Sequence, residues 1–432
     1  MTASALRVSH DSEPATRSAG ASRSTFLLIS QVYVPDPASV GQHMAEAAAE
    51  LVRRGHRVVV ITSARGYDNP DHQYPLRETR DGVEIWRMPL ASFGKTSIAL
   101  RAVGGVLFLL QVIWQGVQLR GLDTVVVTTS PPFASVAALC ISWLRRVRVR
   151  YWIMDLNPDQ AVAMKKARAG SPSVRAFDWL NRRILSRADS VIVMDRFMKA
   201  RVVAKSPMVS SRLTVLPPWP LDDVETPIAH SENTFRAEHA LADKFVVMYS
   251  GNHSPANPLS TLLQAVEQVQ ADPSFAFLFV GGGLGKREVE ASKATNIRSL
   301  PYQPLIRLRE SLSAADVHVV SIGNDVVGMV HPCKVYGAMA VARPILLLGP
   351  PQNHIADILR EEGIGWHVAH GDVSGAVEVL QRMRSTPASE LQAMGERAQA
   401  AVSNRLGRRM LTRALCDVLD GAAAPAAVSV GS

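Results

Sequence analysis

The feature that most constrains this chain is a pattern that occurs, stops and restarts. Short continuous apolar runs such as Phe26-Leu-Leu-Ile-Ser30 and Arg57-Val-Val-Val-Ile-Thr62 each lead into a loop rich in Gly, Pro, Asp or Ser. A run buried on both faces reads as a strand of a parallel sheet, and parallel neighbours need a crossover between them. Further runs of this kind are Val83–Trp86, Thr124–Thr129, Arg150–Asp155, Ser190–Met194 and Leu213–Leu216, and Pro217-Pro-Trp-Pro220 ends the series. After a polar stretch it resumes at Phe245–Tyr249, Phe275–Val280, Asn296–Leu300, Asp316–Ile322, Ile345–Leu348 and Gly365–Val368. A chain of 432 residues is too long for one ordinary core. The pattern therefore predicts an α/β protein with two Rossmann-like, doubly wound domains facing a cleft.

The boundaries follow from composition. Residues 1–24 and 421–432 read as disordered tails, 25–220 as the first domain and 221–243 as a linker. Residues 244–388 read as the second domain, and 389–420 as helices broken near Gly407. In open parallel sheets ligands bind outside the carboxyl ends of the strands. The unusual loops, at 35–41, 130–132, 155–159, 250–257, 281–285 and 326–334, all follow strands.

One of them opens the stretch Gly328-Met-Val-His-Pro-Cys-Lys-Val-Tyr-Gly-Ala-Met-Ala-Val-Ala-Arg-Pro344. It predicts a helix of roughly Cys333 to Val341, with Pro332 near its first turn. Such a start attracts anions, and Lys334 adds a positive charge. This is the expected resting place for the diphosphate of an activated donor. Each candidate also has a plainer role. Lys334 and Lys286 fit phosphate contacts or surface lysines. Gly251 and Asn252 fit a close approach to phosphate or a simple turn. His331, His253 and His354 fit polar contacts or loop residues, and Arg343 a helix cap. Asp155, ending a strand, fits an acceptor-orienting base or a loop carboxylate, with Asp159 competing.

The net charge of +9 suits nucleic acid, anionic lipid or a phosphorylated substrate. Nucleic acid is disfavoured, since no basic run alternates with exposed-looking aromatics and no reader motif is present. Cys140, Cys333 and Cys416 lie far apart, form no metal spacing and point to a reducing compartment. The apolar stretch Ile98–Leu119 is interrupted by Arg101, Gln111, Gln115 and Gln118, short of the ~20 mainly apolar residues of a spanning helix. It reads as a buried helix, or as one whose apolar face meets a membrane surface beside Arg145-Arg-Val-Arg-Val-Arg150.

Several segments together carry a family resemblance. They are Val34–Gly41, Gly55-His-Arg-Val58, Asp155-Leu-Asn-Pro-Asp159, Tyr249-Ser-Gly-Asn252, Val280–Gly283, Leu300-Pro-Tyr-Gln-Pro304, Ala314-Ala-Asp316, His331-Pro-Cys-Lys-Val-Tyr336 and Arg343-Pro344. In this order the chain resembles GT-B glycosyltransferases of the large retaining, family-4-like group, nearest the L-fucosamine and colanic-acid type of exopolysaccharide and O-antigen synthesis. The resemblance covers most of residues 25–415. It implies transfer of a hexose-type sugar from a nucleotide diphosphate-sugar to an acceptor hydroxyl, with retention, no cofactor and no bound metal. It places the donor on the second domain, with Gly41, Gly251, Asn252, Lys286, His331, Lys334, Tyr336 and Arg343 around it. Asp155 and Lys334 are the implied catalytic pair. The implied acceptor is a lipid-linked saccharide, reached from the cytoplasm at the inner face of the membrane. The last helices of such proteins often cross back to the first domain.

The chain departs from the family at its usual pair of glutamates, which would fall near Met329 and Gly337. The second normally holds the donor ribose. A catalytically inactive sugar-nucleotide-binding partner of a polysaccharide complex is therefore the main alternative. A GT-B epimerase would need further acid/base carboxylates in the second cleft wall, and the sequence shows none.

Overall fold

The computed structural model describes residues 23–36, 38–66, 72–90, 98–220 and 226–422. Most of both expected tails and the start of the expected linker fall outside these residues. The first sheet has eight strands: β1 (Thr25–Ile29), β2 (Arg57–Ser63), β3 (Arg77–Arg80), β4 (Val83–Met88), β5 (Leu122–Thr128), β6 (Arg148–Trp152), β7 (Ser190–Val193) and β8 (Leu213–Val215). Their order is β3-β4-β2-β1-β5-β6-β7-β8. The second sheet holds β9 (Phe245–Ser250), β10 (Phe275–Val280), β11 (Ile297–Leu300), β12 (Val317–Ser321), β13 (Ile345–Leu348) and β14 (Gly365–Val368), ordered β11-β10-β9-β12-β13-β14.

All neighbours are parallel except β3, which runs antiparallel to β4 at the edge. The sequence pattern does not reveal β3. Its Arg-Glu-Thr-Arg is polar and mostly exposed, so it presents no apolar run. In each sheet the winding reverses once, between β1 and β5 and between β9 and β12. At such a reversal the two loops diverge to opposite faces and leave a crevice at the carboxyl edge.

The first helix spans Ser39–Arg53, so Gly41 lies in its first turn. A Cβ there would stand 3.0 Å from Tyr33 Cα, so glycine lets the helix abut the loop after β1. The helix stops at Gly55, whose φ of +94° suits glycine.

The chain end returns to the first domain. Helices Val373–Ser385 and Ala388–Ala401 lead through a π turn to Gly407, then to the helix Arg408–Asp420. Leu411, Leu415, Cys416 and Leu419 of that helix are buried in the same core as Phe26–Ile29 and Leu51. The Arg54 guanidinium on the first helix donates to Asp417 Oδ1 at 2.8 Å and Asp420 Oδ2 at 2.9 Å. Arg150 Nε donates to the Leu419 carbonyl at 3.2 Å. The first-domain core also continues into Val320, Ile322, Val326, Met329, Val330 and Val335 of the second domain.

Leu415→Ala is expected to destabilise the protein by about 2–5 kcal/mol, through lost burial and the cavity left behind. Urea unfolding checks this, and an unchanged midpoint would mean that this helix is not part of the first core.

Candidate active site

Two glycine-bearing loops of the second sheet are pressed together. Gly251 follows β9 with φ +117°, while Gly281 and Gly283 follow β10 with φ +125° and +117°. The His253 N–H donates to the Gly282 carbonyl at 2.7 Å, and the Gly285 N–H to the His253 carbonyl at 2.8 Å. A Cβ on Gly281 would fall 2.1 Å from the Gly251 carbonyl oxygen, and one on Gly283 2.2 Å from Asn252 Oδ1. Only glycine satisfies both the dihedrals and the spacing.

Lys334 closes over this pair of loops. Its Nζ donates to the Asn252 carbonyl at 3.1 Å and stands 4.9 Å from the centre of the Tyr249 ring. The Tyr249 hydroxyl donates to the same carbonyl at 2.9 Å. A Cβ on Gly251 would lie 2.8 Å from Lys334 Cε, so Gly251 also makes room for the lysine. The structure therefore brings Gly251, Asn252 and Lys334 together. Lys334 keeps some solvent contact, yet the protein around it removes enough water to lower its pKa to about 8. Among the described residues it makes no ion pair.

The helix that Lys334 opens is Lys334–Ala340, seven residues, shorter at both ends than Cys333 to Val341. So short a helix adds little dipole. The lysine charge, rather than the helix start, dominates the field here. Lys286 Nζ is spent on the carbonyls of Gly281, at 2.5 Å, and Leu300, at 2.6 Å, and so ties the glycine loop to the end of β11. His253 is buried between the Tyr249 and Phe279 rings, and that burial lowers its pKa to about 4. It is thus neutral at physiological pH.

His331 and Tyr336 meet each other rather than open space. His331 Nδ1 lies 2.7 Å from Asp195 Oδ2 and its Nε2 lies 2.8 Å from the Tyr336 hydroxyl. His354 stacks on His331 with ring centres 3.7 Å apart. Asp195, His331 and His354 bring ligand-type atoms within 4.8 Å of one another. Both His331 nitrogens already have partners, so the trio reads as a hydrogen-bonded cluster. Arg343 stands apart. It precedes β13 and so lies at the amino edge of the sheet, opposite the crevice, donating to the Ser313 carbonyl at 2.8 Å. Position relative to a parallel strand decides this, because only residues after the strand reach the carboxyl edge.

From the first domain, Asp155 follows β6, and its N–H donates to Thr129 Oγ1 at 3.1 Å. Burial raises its carboxyl pKa to about 6. The Cys333 thiol is pushed up to about 12 by burial first and by the Asp155 charge second, which places the two groups close together. Next to Asp155, the Leu156 N–H donates to the Met329 carbonyl at 2.8 Å. Asp155 therefore stands beside the segment that ends in Lys334. Asp159 is occupied by an ion pair with Lys205 at 2.7 Å, whereas Asp155 makes no ion pair among the described residues. A Cβ on Gly41 would meet the backbone of Val32 and Tyr33 first, so the residue lies against the loop after β1. Asp195 and Tyr249 did not stand out in the sequence as site residues. The rule that selected Asp155, a carboxylate just after a parallel strand, selects Asp195 after β7 equally well.

Residues 39–219 match the glycosyl transferase 4-like domain. The chain carries a glycosyl transferase 4-like domain. Over 247 residues it is 25% identical to the probable glycosyltransferase WbjE of Pseudomonas aeruginosa, covering 56% of this chain and 61% of that protein. Over 328 residues it is 23% identical to the putative colanic acid biosynthesis glycosyl transferase WcaI of Escherichia coli, covering 72% and 79%. The crystal structure of Anabaena Alr3699/HepE with UDP-glucose superposes with a TM-score of 0.67 at 15% identity, over 91% of this chain and 99% of that one. The two-sheet architecture is that of GT-B glycosyltransferases. The matched glycosyl transferase 4-like domain contains Gly41, Asp155 and Asp195, while Lys334 and the glycine loops lie in the second domain.

Amine acylation of Lys334, followed by peptide mass spectrometry, is expected to titrate with a midpoint of about 8. An ordinary lysine titrates near ~10.4. A midpoint there would mean that the lysine is not desolvated as described.

Proposed function

We propose that this protein transfers a hexose-type sugar from a nucleotide diphosphate-sugar to an acceptor hydroxyl, with retention and without a bound metal. The observation that carries the proposal is Lys334, a desolvated cation with only neutral partners beside two glycine loops. As the glycosidic bond breaks, negative charge grows on the departing diphosphate. A fixed cation then stabilises the transition state more than the ground state. Asp155, with a pKa of about 6, is mostly ionised at neutral pH and suits orienting the acceptor hydroxyl or taking its proton. The hydroxyl arrives on the face the phosphate leaves, so no protein nucleophile is invoked. HepE was crystallised with UDP-glucose, which makes a uridine diphosphate-sugar the first donor to try.

Release of nucleotide from a panel of sugar nucleotides, with membrane extract as acceptor, tests this reading. Lys334→Ala is expected to lower turnover by ~10²–10³-fold while leaving the fold intact. The value of kcat/KM is expected to rise as pH passes upward through about 6, where Asp155 ionises, and to fall above about 8, where Lys334 loses its proton. Asp155→Asn should remove the acid limb. A metal chelator should leave turnover unchanged. Unchanged turnover in Lys334→Ala would remove this lysine from the mechanism. Binding of a sugar nucleotide without release from any of them would favour the inactive partner. That alternative draws on Gly337, which stands where a ribose-holding glutamate is expected, with Leu312 Cδ1 3.5 Å from its would-be Cβ.

The acceptor in this reading is a lipid-linked saccharide in exopolysaccharide or O-antigen synthesis, consistent with the colanic acid biosynthesis for which the WcaI relative is named. It is reached at the inner face of the cell membrane. Among the described residues no helix is long and apolar enough to cross a membrane. The helix Ile98–Gln118 instead turns Val103, Val106, Leu110 and Trp114 to solvent, each more than half exposed. The neighbouring helix Ala134–Arg145 adds Trp143, 78% exposed, and Leu144. Neither helix contains an acidic residue, and Arg146 and Arg148 are exposed just beyond them. Apolar aromatics with cations alongside suit an anionic lipid surface. Co-sedimentation with phosphatidylglycerol vesicles is expected for the wild type and lost in Trp114→Glu/Trp143→Glu. Equal binding by the double variant would move the membrane contact elsewhere.

A further inference from the structure

The cluster around Asp195 is left unused by the donor and acceptor chemistry. Asp195 follows β7 and caps the helix Arg196–Lys205, with Oδ1 accepting the Met198 N–H at 2.8 Å. Its other oxygen reaches across to the second domain and meets His331 Nδ1. Burial alone would raise this carboxyl. The His331 hydrogen bond, the nearby histidines and the Met198 N–H outweigh burial and hold it well below the usual carboxylate range. An ionised carboxylate only accepts, so the proton lies on His331 Nδ1. On the far side of the ring, Nε2 meets the hydroxyl of Tyr336, and Tyr336 belongs to the helix that Lys334 opens. One hydrogen-bonded line therefore runs from the first domain to the Lys334 helix. The His331 and Asp195 side chains are only 2% and 5% exposed, so water does not compete for it.

The residues just before His331 are clamped from the same side. Arg201 Nε donates to the Val327 carbonyl at 2.6 Å, and the Leu156 N–H to the Met329 carbonyl at 2.8 Å. Gly328, at φ +71°, is so close to Phe197 that a Cβ would come within 2.7 Å of its carbonyl. Arg196 offers a contrast. It pairs with Asp357 at 2.6 and 3.0 Å across the same two domains, but Asp357 lies on the helix His354–Glu362, which touches His331 through the stacked His354 ring and does not itself carry Lys334.

We propose that Asp195 is a positioning residue that, through His331 and Tyr336, sets where the Lys334 ammonium stands over the Asn252 carbonyl. A lysine on a flexible stem is useful only if the backbone carrying it is held, since a misplacement of about 1 Å can cost ~10²-fold in rate. The acceptor-side domain thus contributes to the donor-side charge. The kinetic consequence rests on the reading of Lys334 as the diphosphate contact, whereas the structural consequence does not.

The test measures Lys334 acylation by an amine-reactive acetylating reagent, read by peptide mass spectrometry, in full-length variants. Asp195→Ser keeps a helix cap but removes the oxygen that reaches His331. It is expected to change the Lys334 rate by ~3-fold or more, as is His331→Gln, because the segment loosens locally. Exposed Lys166 serves as the internal control. His331→Asn, whose amide N–H stands near the Nδ1 position but leaves nothing to meet the Tyr336 hydroxyl, should change the rate as His331→Gln does. Arg196→Gln should leave it unchanged. With the donor that the wild type uses, Asp195→Ser should lower kcat by ~10-fold or more with donor KM within ~3-fold. An unchanged Lys334 rate in both Asp195→Ser and His331→Gln overturns the proposal, and so does an equal change in Arg196→Gln. Should Asp195→Ser fail a thermal-unfolding check, the His331 pair decides. A wild type inert toward every sugar nucleotide would overturn the functional reading, and the acylation rates would still decide this one.

Discussion

The Leu156 N–H and the Met329 carbonyl share a hydrogen bond of 2.8 Å, and the arrangement of the cleft depends on that contact and its neighbours. Leu156 follows β6 of the first sheet. Met329 lies in the segment that follows β12 of the second. Around the bond, Val326, Met329, Val330 and Val335 enter the first-domain core. Burying side chains of this size contributes about 1.5–3 kcal/mol each. The segment that carries Lys334 is therefore held by the packing of the other domain. The two sheets share apolar packing at the point where their carboxyl edges face each other.

The electrostatics follow from that packing. Water excluded from the junction shifts two groups in informative directions. Asp155 rises to about 6 and Lys334 falls to about 8, which keeps both charged near neutral pH without pairing them to each other. Asp195 moves the opposite way because it has what Asp155 lacks, a hydrogen-bond donor on each oxygen. Two carboxylates after successive strands of one sheet thus serve different ends. One is satisfied within the protein and holds the domains together, and the other stands beside the segment of Lys334 with no ion pair among the described residues.

Much of the fold was legible from the sequence, since apolar runs such as Phe275–Val280 read directly as buried strands. The polar β3 did not, because an exposed edge strand carries no hydrophobic period. The site was legible in parts. Gly251, Asn252 and Lys334 do converge, since each follows a strand of one sheet. Lys286, His331 and Tyr336 are near them but spend their polar atoms on protein partners. Arg343 follows the short helix that Lys334 opens, yet Lys334 lies at the carboxyl edge and Arg343 at the amino edge. Distance along the chain carries no information about which edge of a sheet a residue reaches.

By itself the sequence determined the two-domain layout, the direction of the strands and the loops that had to surround the cleft. Hydrophobic period and turn chemistry are local properties, and they act within a few residues. Only the tertiary structure decided which polar groups are already satisfied. It separated Asp155 from Asp159 by supplying Lys205, and it joined His331 to Asp195 across 136 positions. It also left Lys334 with neutral partners in a place where water is scarce. Burial and hydrogen-bond satisfaction depend on what the rest of the chain brings to a residue, so they are properties of the folded molecule.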